Sequence, residues 1–190
     1  TGDTRTVEAS LPPRRTAMIG RSADVHSAGR LLAETRLMTL VGWGGIGKTT
    51  LAIEIGPAHP GPAWFVDLTA VRSDEEVGTL IADAITLPGV GGTPIDRIVD
   101  RLIGVSGMLI VDNCEHVIEG VASMVSALMD RLPDLRILAT SREPLRLRAE
   151  QVYPVGSLDA DPDGAAHQLF IVRAEAVRPG VTDGVDAESI

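Results

Sequence analysis

Short apolar runs alternate along this chain with stretches whose apolar positions recur at helical spacing. Leu37-Met38-Thr39-Leu40-Val41, Ala63 to Leu68, Met108-Leu109-Ile110-Val111 and Arg136 to Thr140 are almost continuously hydrophobic, as strands covered on both faces must be. Val152-Tyr153 predicts a fifth strand. Between these runs the polar punctuation predicts helices. Ser22 can cap one that reaches about Glu34 with Val25, Leu31 and Leu32 inward, and Thr49 to Ile55 forms another. Ser73-Asp74-Glu75-Glu76 is a capping box opening a helix to about Ile85, and Thr93-Pro94 supplies a cap and a first-turn proline for one ending near Ile103. A long helix is expected from Glu115 to Asp130, and a last one from Ala165 to Ala176. Pro57, Pro60, Gly61 and Pro62 mark a loop, and Gly89 to Gly92 another. Strands alternating with helices predict an α/β fold whose parallel sheet is sandwiched between helical layers. The polar first sixteen residues, with Pro12-Pro13 and no apolar period, read as a linker, so ordered structure is expected from about Ala17.

One segment carries chemistry as well as structure. Gly42-Trp43-Gly44-Gly45-Ile46-Gly47-Lys48-Thr49 is a complete G-x-x-x-x-G-K-[ST] phosphate loop. It stands between an apolar strand and a helix, the context that the motif demands. In such a loop the backbone N–H groups of Gly44, Gly45, Ile46, Gly47, Lys48 and Thr49 converge on one anion, and the following helix adds roughly half a positive charge at its N-terminus. Lys48 reaches the phosphates, Thr49 offers its hydroxyl to Mg²⁺, and Thr50 follows at the mouth of the helix. Lys48 is also the one lysine beside sixteen arginines. A compact ammonium on a flexible stem fits between two phosphates where a planar guanidinium needs more room.

Composition narrows the function classes. With 190 residues, 44% hydrophobic and 3% aromatic, the chain can close one substantial core built mainly from Ala, Val, Leu and Ile. A formal net charge of −9 argues against direct DNA binding by this segment and against an anionic membrane surface. Cys114 has no partner for an internal disulfide, and neither a signal peptide nor a membrane span is evident, so the expected compartment is the cytoplasm. His26, His59, His116 and His167 lack metal-ligand spacing.

A second nucleotide motif follows the third apolar run. In Leu109-Ile110-Val111-Asp112 the carboxylate leaves a buried strand at the sheet's C-terminal edge, where ligands of such sheets collect, and there Asp112 would hold Mg²⁺ through water. The alternative is a strand that simply ends in a helix-capping Asp. Asn113 occupies the position where hydrolysing relatives of this motif carry a water-activating acid. An amide can orient water but cannot accept its proton at neutral pH, so turnover is expected to be slow or absent, with Glu115 as the nearest alternative carboxylate. Thr140-Ser141-Arg142 would set Arg142 where a guanidinium senses a terminal phosphate, unless it is a surface arginine like Arg146 and Arg148. Cys114 reads as a small buried residue rather than a nucleophile. A single lysine rules out the Asn/Thr-Lys-x-Asp guanine-reading motif, which favours adenine.

Taken together, Met18-Ile19-Gly20-Arg21, LMTLVGWGGIGKTTLA, MLIVDNCEHV, RILATSREPL and VYPVGSL resemble the nucleotide-binding (NB-ARC/NACHT-like) domain of the STAND signal-transduction ATPases. The likeness is to the large actinobacterial transcriptional regulators of the antibiotic-regulatory (SARP) and LuxR-like types. It implies a P-loop NTPase, with a five-stranded parallel sheet in which the Thr140 strand lies between the phosphate-loop and Asp112 strands. It further implies that Met18, Ile19, Gly20 and Arg21 contact adenine or ribose, that Arg142 senses phosphate, and that residues 17–178 form the nucleotide-binding domain, with 179–190 opening the helical subdomain that normally follows. Trp43 departs from the family pattern, which has a small residue or proline there, and would shield part of the loop's entrance.

The leading expectation is therefore a switch: ATP or ADP, with Mg²⁺, binds among Lys48, Thr49, Asp112, Asn113 and Arg142, and its state controls packing against neighbouring domains, self-oligomerisation and transcription. A small-molecule kinase shares the loop but lacks an evident acceptor site. A nucleotide-free scaffold is opposed by the intact Lys48 and Thr49.

Overall fold

The computed structural model describes residues 10–13, 20–85, 91–158 and 169. Five strands, β1 (Leu37–Val41), β2 (Ala63–Asp67), β3 (Gly107–Asp112), β4 (Leu135–Ser141) and β5 (Glu150–Pro154), form one sheet in the order β2-β3-β4-β1-β5. Every pairing is parallel. The Thr140 strand does separate the loop-bearing β1 from the Asp112-bearing β3. Register places Val41 beside Ser141 and Asp67 beside Asp112, so the loops that follow β1, β2, β3 and β4 emerge from one edge.

Five helices with described bounds cover the sheet: α1 (Ser22–Glu34), α2 (Lys48–Ile55), α3 (Asp74–Ile85), α4 (Pro94–Leu102) and α5 (Ile118–Arg131). Alternation along the strands divides the core in two. Met38, Leu40, Met108, Ile110 and Leu138 pack with Leu32, Leu51 and Ile55 of α1 and α2, while Leu109, Val111, Ile137 and Ala139 pack with α3, α4 and α5 through Ile81, Ile98 and Val125. Each face is dry because the pleat sends successive side chains to opposite layers. The result is a three-layer α/β/α sandwich.

Local chemistry explains most element boundaries, and four expectations need correction. Thr93 caps α4 as expected, its hydroxyl accepting from the Asp96 N–H at 3.3 Å. Ser22 does not cap α1: Arg21 holds the cap position, its side chain accepts no hydrogen bond from the first-turn N–H groups, and Ser22 is already helical. The box before α3 is shifted, since the Glu76 carboxylate accepts from the Arg72 N–H at 3.0 Å. The long helix expected from Glu115 is two elements, a single 3₁₀ turn at Cys114–His116 and then α5 from Ile118. Asn113 enters the left-handed region at φ 62°, which bends the chain out of β3, and a ring nitrogen of His116 pins the turn to the carbonyls of Leu68 and Val71 at 3.0 and 3.1 Å.

Order also begins before Ala17. Ser10 pairs with the outer edge of β2, donating to the Ala63 carbonyl and accepting from the Phe65 N–H, each at 3.0 Å, and Leu11 packs against the α1–α2 side of the core. The expected helix Ala165 to Ala176 lies outside the described residues, apart from Leu169 within it.

Candidate phosphate-binding site

The loop between β1 and α2 is shaped by its glycines. A Cβ on Gly42 would come within 2.8 Å of the Val155 carbonyl oxygen, so only glycine lets the chain beyond β5 run this close. Gly45 and Gly47 take φ values of 77° and 98°, and Gly47 turns the chain directly into α2 at Lys48. Trp43, Gly44 and Gly45 are exposed, with Trp43 at 84%, so its ring stands in solvent beside the loop.

Lys48 is buried under this arch. Its ammonium donates to the carbonyls of Gly42 and Trp43 at 2.7 and 3.0 Å, which holds the charge at the loop without an acidic partner among the described residues. One residue on, the Thr49 hydroxyl lies 2.9 Å from both carboxylate oxygens of Asp112. Asp112 is 2% exposed, and it also accepts from the Thr140 hydroxyl, which in turn accepts from the Asn113 N–H at 3.1 Å. Burial pushes the Asp112 carboxyl above its ordinary range, the two hydroxyls act the other way, and the charges of Asp67 and Glu115 add to the upward push. The phosphate loop and the acid after β3 are therefore one constellation, linked by a threonine from each side.

Asn113 faces away from the loop. Its side-chain amide donates to the Thr69 hydroxyl at 2.7 Å and to Asp67 at 3.3 Å, toward the end of β2. Arg142 is different. Its side chain is 64% exposed, and Nη2 would be 3.2 Å from a Cβ placed on Gly44, so the guanidinium lies across the phosphate loop. Its Nε donates to Glu115 Oε1 at 3.1 Å, while Glu115 Oε2 is buried without a hydrogen-bond partner among the described residues.

The remaining sequence-derived positions separate. Gly20 takes φ 71°, and Thr50 is exposed in the first turn of α2. Arg21 is buried on protein groups: Nη1 pairs with Asp24 at 2.9 Å, and Nη2 donates to the carbonyls of Ile46 and Gly156 at 3.0 and 2.6 Å. Met18 and Ile19 lie outside the described residues. Cys114 is fully buried and its thiol is pushed strongly upward by burial and then by Asp112 and Glu115, which suits a packing role rather than a nucleophile. Sequence reasoning missed Thr140 as the second hydroxyl on Asp112. The available signal was a threonine ending an otherwise apolar strand, Ile137-Leu138-Ala139-Thr140, next to the acid's own strand.

The donor set suits a hard divalent cation bound beside phosphate. Thr49 and Asp112 offer adjacent oxygens, and no group of three or more His, Cys, Asp or Glu side chains that could hold a metal alone occurs among the described residues. Mg²⁺ fits such a site because it takes one or two protein oxygens and completes its shell with water and phosphate.

No protein-family model matches the chain. It is 41% identical over 155 residues to a protein named as an HTH-type transcriptional regulator of Mycobacterium tuberculosis (strain ATCC 25618 / H37Rv), a match covering 80% of this chain and 17% of that protein. It is 34% identical over 177 residues to an uncharacterized protein of the same strain, covering 90% of this chain and 44% of the relative. The chain thus spans less than half the length of these curated relatives. Among solved structures, it is similar to a signal transduction ATPase with numerous domains (STAND) carrying a tetratricopeptide repeat sensor, from Pyrococcus horikoshii. The TM-score is 0.55 at 16% identity, over 92% of this chain and 28% of that one. The fold is that of the P-loop NTPases. No helix among the described residues is long and apolar enough to cross a membrane.

Proposed function

We propose that this chain is an adenine-nucleotide-binding switch domain of a larger bacterial transcriptional regulator, of the STAND and NB-ARC kind. The observation that carries the reading is the Thr49–Asp112 contact beneath an open glycine loop that holds a buried ammonium. In this reading residues 17–178 form the nucleotide domain and 179–190 lead into the next subdomain.

Backbone N–H groups from Gly44 to Thr49 hold the phosphates. The Lys48 ammonium exchanges its two carbonyl acceptors for phosphate oxygens, which costs little because both states offer it oxygen partners. Thr49 and Asp112 would hold Mg²⁺, which when bound supplies charge neutralisation between the terminal phosphates. Arg142, whose guanidinium lies across Gly44, would meet a third phosphate extending from the loop and so distinguish ATP from ADP. Asn113 is turned toward Thr69 and Asp67 and contributes no proton acceptor, consistent with slow or absent hydrolysis. The output is conformational: the nucleotide biases how neighbouring domains pack and whether the protein self-associates in the cytoplasm, and other domains contact DNA. Contacts to base and ribose come from the segment around Met18, Ile19, Gly20 and Arg21.

Trp43 provides the test. Titrating its fluorescence with ATP, ADP and GTP, with and without Mg²⁺, is expected to give a saturable response to the adenine nucleotides only. Lys48→Ala is expected to weaken binding by about 10- to 100-fold, the worth of roughly one charge-assisted hydrogen bond to phosphate. Equal ADP binding by the parent and the Lys48→Ala variant would overturn the assignment, and phosphate transfer to a metabolite would favour a kinase instead.

A further inference from the structure

Glu115 is unusual among the carboxylates near the loop. It belongs to a one-turn element whose backbone is fixed on three sides: by the left-handed Asn113 before it, by the buried Cys114, and by the bonds of His116 to the carbonyls of Leu68 and Val71. From that turn, one carboxylate oxygen meets Arg142 Nε and the other is buried with no hydrogen-bond partner among the described residues. Leaving a buried carboxylate oxygen without a donor is unfavourable, so this rotamer needs a reason other than stability.

Arg142 supplies the reason. Its only hydrogen bond among the described residues is the one through Nε, and Nη2 hangs over Gly44. A guanidinium gripped at Nε keeps its two terminal nitrogens as an open fork. On a side chain that is 64% exposed, such a fork would otherwise sample many rotamers, and fixing it on ligand arrival would cost side-chain entropy.

We propose that Glu115 is a positioning residue that orients Arg142 over the phosphate loop and thereby sets the preference for triphosphate over diphosphate. This rests on the nucleotide-binding reading above. The carboxylate acts through Arg142, touches no nucleotide and takes no proton. Its negative charge does not oppose phosphate entry appreciably, because the same Arg142 neutralises it. The expected size is modest, since a partly exposed ion pair contributes at most about 1 kcal/mol, or about fivefold in an affinity ratio.

The experiment compares ATP and ADP dissociation constants, with Mg²⁺, by Trp43 fluorescence and by calorimetry. Glu115→Ala is expected to lower the ATP-to-ADP preference about fivefold with ADP affinity unchanged. Glu115→Gln, which keeps an acceptor for Nε and removes the charge, is expected to retain most of the preference. Arg142→Ala should lower it at least as far, and adding Glu115→Ala to Arg142→Ala should change nothing more. The proposal is overturned if Glu115→Ala leaves the ratio unchanged, if it weakens ATP and ADP equally, or if its effect persists without Arg142. A parent chain that binds neither nucleotide overturns the switch reading as well, whereas normal binding with an unaltered ratio in Glu115→Ala removes this inference alone.

Discussion

Asp112 shows how a candidate metal-binding side chain is held against its own solvation. A buried carboxyl whose pKa is raised binds its proton better in the folded state than in the unfolded one. Its contribution favours folding below the ordinary value of 3.8 and is lost as pH rises through the elevated one. Wherever it is ionised, the buried group is therefore a net burden that the two hydroxyls only partly relieve. Asp112→Asn is expected to raise the thermal midpoint at neutral pH, by about 2–4 °C per kcal/mol relieved in a chain of this size, while abolishing the Mg²⁺ dependence of nucleotide binding. The gain should vanish near pH 4, and thermal melts across that range check it. Asp67 has the opposite sign. Burial alone would raise its pKa, but Thr69 and Asn113 together hold it low, so its contribution is present above the ordinary carboxylate range and disappears as pH falls through the lowered value.

The turn after β3 explains how local backbone decides what a side chain can reach. Asn113 is one of two described non-glycine residues at positive φ, a region that a short amide tolerates and a β-branched residue does not. Asn113→Val is expected to destabilise the fold by about 2 kcal/mol or more, through left-handed strain plus the lost bond to Thr69, and Asn113→Gly by less. Denaturant midpoints distinguish them. This turn was also the least legible element in the sequence. Apolar runs identified β1 to β4 to within a residue or two, because a strand covered on both faces has little choice of residue, while Val152-Tyr153 located β5, an edge strand with no buried position. Thr93-Pro94 located α4 for a comparably local reason. By contrast, Asp-Asn-Cys-Glu-His carries no periodicity, and its shape comes from His116 reaching carbonyls more than forty residues away. The Lys48, Thr49 and Asp112 set was legible from motif spacing, whereas Thr140 and the Glu115–Arg142 contact depend on sheet register and loop packing that spacing does not encode.

Across the molecule, the parallel order β2-β3-β4-β1-β5 gathers the candidate site on one edge and leaves both helical faces to packing. Five acidic or cationic groups, Lys48, Asp67, Asp112, Glu115 and Arg142, gather there from four separate loops and strand ends, while the chain as a whole carries a formal charge of −9. That excess predicts no measurable affinity of this chain for duplex DNA at about 0.15 M salt, since backbone binding scales with clustered cations. Fluorescence anisotropy with a labelled duplex is the check, and tight, salt-sensitive binding would contradict it. The Arg21 guanidinium has a mechanical consequence. One nitrogen is shared by the carbonyl of Ile46, inside the phosphate loop, and that of Gly156, just past β5, and the neighbouring Asp24 also accepts from the Tyr153 hydroxyl at 2.8 Å. A shift of the loop is thus geared, through one rigid planar cation, to the strand that carries the chain away from the sheet.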